Sequence, residues 1–99
     1  MKLIFYCQHV LGMGHYMRTL EICKALAEHE VILITGGAEV NAPVPAHVRE
    51  IRLPGLMMDS DFQGFFTTEP NRSVDSVMAE RRSLLMDLFK REKPDHLLV

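Results

Sequence analysis

Leu3, Ile4, Phe5, Tyr6 and Cys7 form an unbroken apolar run inside Lys2–Gln8, the pattern of a strand covered on both faces of a parallel sheet. From His15 to His29 the pattern changes. Arg18, Glu21, Lys24 and Glu28 recur on one side while Met17, Leu20, Cys23, Leu26 and Ala27 fill the other, which predicts an amphipathic helix. Val31 to Thr35 is a second apolar, β-branched run that stops at Gly36 and Gly37. Strand, helix and strand within so short a length make a βαβ unit with a right-handed crossover.

Past Pro43 and Pro45, Val48, Ile51 and Leu53 are interspersed with Arg49, Glu50 and Arg52. This predicts a third strand, ending at Pro54 and lying nearer the sheet edge. The stretch from Gly55 to Arg72 shows no clear period and reads as a long loop, functional or covered by a partner, with Phe62, Phe65 and Phe66 packing over the sheet. Ser73 is placed to cap a helix over Val74–Glu92. Val74, Val77, Met78, Leu85 and Phe89 keep helical spacing there, Lys90, Arg91 and Lys93 suit the negative end of the dipole, and Pro94 stops it. Asp95 to Val99 opens a fourth strand. The expected fold is α/β, one unit over residues 1–99, with a Rossmann-like parallel sheet in the order 3-2-1-4. A fourth strand needs cover on both faces, so the expectation is either a truncated part of a longer protein or a piece completed by a second copy.

Composition narrows the function. Eleven Lys and Arg against 13 Asp and Glu leave a formal charge of −2, which offers no source for the phosphate attraction that drives nucleic-acid binding. Cys7 and Cys23 fall in a strand and a helix and make a poor disulfide framework, pointing to a reducing compartment. The first apolar run is too short for a signal-peptide core or a membrane span, so the expected location is cytoplasmic. His9, His29, His47 and His96 show no ligand spacing. Asp59-Ser60-Asp61 has a DxD form that can hold a divalent cation, but two acids in a loop are common, and no metal or cofactor is expected.

The chemistry concentrates in Gly12-Met13-Gly14-His15-Tyr16-Met17-Arg18, between the first strand and the first helix. Glycines bring backbone N–H groups close to a ligand, and a helix N-terminus favours an anion. The position lies where strand order reverses, the crevice of open α/β sheets. Met17 stands where a dinucleotide fingerprint needs its third glycine, and no Gly-Lys-Ser/Thr triplet supplies a phosphate-binding Walker loop. A receiver domain would need acids ending its first strand and an aspartate ending its third; Gln8 and Leu53 stand there.

Gly14-His15 resembles the glycine-histidine turn after the first strand of GT-B glycosyltransferases, including the lipid II glucosaminyltransferase family and the plant and antibiotic UDP-glycosyltransferases. The helix and strand through Cys23-Lys24-Ala25-Leu26-Ala27 to Thr35-Gly36-Gly37 are similar to theirs, as is Lys93-Pro94-Asp95 leading into the fourth strand. The resemblance implies an incomplete N-terminal, acceptor-side domain, with the nucleotide-sugar donor held mainly by a C-terminal domain and the fragment alone inactive. It implies His15 as the base acting on an acceptor hydroxyl, with Gly12, Gly14 and Arg18 shaping the substrate site. Many of these enzymes have proline where Arg18 stands. Gly-x-Gly-His-x-x-Arg is closer to a GT-B-like sugar-nucleotide hydrolase family, in which the histidine activates water. A noncatalytic Rossmann-like binding module is the alternative of another class.

Overall fold

The structure is a computed structural model that describes residues 1–7, 14–37, 43–58, 64–69 and 71–99. Its order is β1 (Lys2–Cys7), α1 (Gly14–Lys24), β2 (Glu30–Thr35), β3 (Val48–Arg52), β4 (Leu56–Met58), β5 (Phe65–Thr67), α2 (Val74–Glu92) and β6 (His96–Leu98). Four strands form one parallel sheet in the order β3-β2-β1-β6, so β6 occupies the place expected for the fourth strand. This is a Rossmann-like α/β arrangement, and the apolar β1 lies between two neighbours as its pattern requires.

Strand alternation sends successive side chains of β1 and β2 to opposite faces. Leu3, Phe5, Cys7, Val31 and Leu33 pack with Tyr16, Leu20 and Cys23 of α1. Ile4, Ile32 and Ile34 pack on the other face with Leu88, and with Leu85 and Phe89 beside it, from α2. Each helix therefore covers one face, and register places Cys7 opposite Thr35 at the carboxyl end of the central pair.

Helix α2 has the limits its sequence predicts. Ser73 caps it by accepting from the backbone N–H of Ser76 at 3.1 Å. At its far end Lys93 adopts a left-handed conformation with φ 46° while its N–H donates to the Phe89 carbonyl. The terminal carboxylate Glu92 gathers Lys2 at 3.1 Å, Arg49 at 2.8 Å and Arg91 at 3.2 Å. These charge-assisted bonds hold its pKa down at about 2, against an ordinary 4.5.

Three expectations need correction. Helix α1 ends at Lys24 rather than His29. The N–H groups of Ala25 and Leu26 bond the carbonyls of Ile22 and Cys23 in a tightened final turn, and the His47 ring meets the Cys23 carbonyl at 2.7 Å, so cap and turn replace further α-helix. The stretch between Gly55 and Arg72 is not all loop, because β4 and β5 pair antiparallel within it. Phe65 and Phe66 do not pack over the sheet. They are 47% and 50% exposed, since the hairpin stands apart from the main sheet. Phe62 and Asp59-Ser60-Asp61 lie outside the described residues.

Among the described residues, no helix is long and apolar enough to cross a membrane, and no cluster of His, Cys, Asp or Glu could hold a metal.

Candidate functional site

β1 runs up the middle of the sheet and points at the start of α1. The chain moves from β1 to β2 on one side, and β6 lies on the other, so the carboxyl end of β1 is the point where strand order reverses. Local chemistry sets what the first turn of α1 presents. Tyr16 is completely buried, and its hydroxyl donates to Glu50 Oε2 on β3 at 2.7 Å. Thr19, also buried, donates through Oγ1 to the carbonyl of His15 at 2.9 Å. These two contacts turn Tyr16 and Thr19 inward, which leaves Gly14, His15 and Arg18 on the exposed side of the same turn. His15 and Arg18 are three residues apart and hence neighbours on the helix surface.

Of the four residues singled out by sequence, the structure thus gathers Gly14, His15 and Arg18, and Gly12 lies outside the described residues. A Cβ added at Gly14 would meet nothing, so packing within the described residues does not demand a glycine there. No acid of α1's first turn offsets the partial positive charge of its N-terminus.

The interior below this turn is sealed. Burial pushes the pKa of the Cys7 thiol up and nearby Glu50 adds to it, with a hydrogen bond from Thr19 pulling the other way. Burial likewise raises Cys23 and the Tyr16 hydroxyl, the latter further through its bond to Glu50. Neither thiol is poised as a nucleophile. Tyr16 is a protonated donor that ties α1 to β3. Beside Cys7 in register, Thr35 Oγ1 is buried and has no hydrogen-bond partner among the described residues.

On the α2 face of the same sheet edge sits a residue that sequence reasoning passed over. Arg81 is 5% exposed and donates to the carbonyls of Gly36 and Pro54, both at 2.7 Å, and to the Tyr6 hydroxyl at 2.9 Å. One guanidinium therefore laces the ends of β1, β2 and β3 together. Gly36 is required here, because a Cβ would run into the guanidinium. A signal existed: Arg81 falls four residues after Val77 and seven before Leu88, on the apolar stripe of α2, where a charged residue has to be buried and bonded.

No family model, curated protein or solved structure matches the chain.

Proposed function

We propose that the chain is the acceptor-side portion of a GT-B-type glycosyltransferase, with His15 as its general base. The observation that carries this reading is the placement of His15: an exposed imidazole in the first turn of α1, at the carboxyl end of the central strand. Open α/β sheets bind ligands there. The imidazole would take the proton of an acceptor hydroxyl as its oxygen attacks the anomeric carbon, and the nucleoside diphosphate would depart with the bonding pair. Arg18, one turn along, suits a phosphate oxygen through its planar fork. The Tyr16–Glu50 bond ties the turn that bears His15 to β3.

Arg18 also supports a second reading. An arginine three residues after the histidine is the feature shared with GT-B-like hydrolases, for which water is the nucleophile. Incubating nucleotide sugars with a form of the protein that includes a donor-binding half, with and without hydroxyl acceptors, separates the two. Sugar-acceptor conjugates support transfer, and free sugar alone at all acceptor concentrations supports hydrolysis. Release of neither product overturns both.

A further inference from the structure

A cavity of about 430 Å³ opens on the α2 face, between that helix and the β4–β5 hairpin. This volume lies within the range of roughly 300–1,000 Å³ typical of small-molecule sites. Met78, Arg82, Leu85, Met86 and Phe89 line it from α2. Their spacing of three and four residues makes them one continuous stripe. Leu56 and Phe65 of the hairpin and Tyr6 of β1 complete the apolar lining. Met78, Met86 and Phe65 are each about half exposed, so this surface gains by acquiring cover.

Charge decides what cover fits. The lining includes two arginines and no carboxylate. Arg81 is committed to Gly36, Pro54 and Tyr6. Arg82 is exposed and makes no hydrogen bond or ion pair among the described residues. A second copy fits poorly: pairing α2 with itself about a two-fold axis, centred on the Met78–Phe89 stripe, brings the two Arg82 charges within a turn of each other. An apolar body ending in an anion satisfies both the stripe and Arg82.

We propose that this groove binds a small soluble amphipathic anion, of which a medium-chain carboxylate is the simplest member. The alkyl chain lies along Met78, Leu85, Met86 and Phe65, and the carboxylate pairs with Arg82 in a charge-assisted contact. Site and ligand are separate from the turn that carries His15.

The test is an amide NMR titration of the 99-residue chain with decanoate, with decylammonium and with phosphatidylglycerol vesicles. Decanoate below its micelle concentration should give saturable shifts over Met78–Phe89 and at Phe65, with decylammonium at least about tenfold weaker. Arg82→Glu, at an exposed position, should reverse that preference. Met86→Asp, at a half-exposed one, should weaken decanoate by about tenfold, while both variants retain the wild-type dispersion. Equal affinity for the two amphiphiles, saturable shifts confined to α1, or binding to vesicles without binding to decanoate overturns the proposal. So does a dimer, seen by sedimentation, whose formation alone accounts for the α2 shifts.

Discussion

Replacing Arg81 with methionine tests the architecture of the sheet's carboxyl edge. The change keeps an unbranched apolar stem on α2 but removes a guanidinium that bonds the ends of three strands. Hydrogen bonds from a charged donor contribute about 1.5–3 kcal/mol each. The loss is less than three such terms, because the Gly36 carbonyl keeps the N–H of Leu56 at 2.8 Å. Relief of the buried charge also returns part of its desolvation cost. A net destabilisation of about 2–4 kcal/mol remains, a large share of the roughly 5–15 kcal/mol available to a domain. Urea unfolding at neutral pH, followed by far-UV circular dichroism, reads this as a lowered midpoint with an unchanged slope. Arg81→Lys should recover little, since one ammonium cannot span three acceptors in the plane of a guanidinium. A midpoint for Arg81→Met equal to or above wild type would refute the assignment of Arg81 as the clamp.

Three further substitutions probe the rest of the frame. Thr35→Val removes a buried hydroxyl that bonds nothing among the described residues while keeping its shape, and should raise the unfolding free energy by about 1 kcal/mol in the same urea experiment. Lys93→Gly relieves a left-handed non-glycine residue at the C-cap of α2 and should add about 0.5–1 kcal/mol of thermal or urea stability. Glu92 dissociates more readily in the folded chain than in the unfolded one, so its contribution is fully present above about 4.5 and declines as pH falls toward about 2. Acid unfolding of Glu92→Gln should therefore vary less with pH over that window than acid unfolding of the wild type, measured by circular dichroism.

Much of this frame is legible from residue pattern. Continuous apolar runs mark β1 and β2 because both faces of those strands are covered, and α2 is bounded by a serine cap and a proline stop. The hairpin is not legible: three-residue strands such as Leu56–Met58 and Phe65–Thr67 are too short to show alternation. The overrun of α1 has another cause. Apolar spacing continues through Leu26 and Ala27, but His47, distant in sequence, competes for the carbonyl of Cys23. At the site, Gly-x-Gly-His advertises a turn, and the structure puts His15 on its open side. Neither the Tyr16–Glu50 bond nor the reach of Arg81 to Gly36 and Pro54 follows from spacing, since each joins elements that only the folded sheet brings together.

The most direct measurement of the proposed function is turnover of a nucleotide sugar by a form of the protein that includes a donor-binding half, comparing wild type with His15→Ala and Tyr16→Phe. If His15 is the base, its loss should lower kcat by two orders of magnitude or more, the scale of general-base catalysis at about 10²–10⁴-fold. Tyr16→Phe, which loosens the turn but leaves the imidazole, should cost less. An unchanged kcat in His15→Ala would contradict the account.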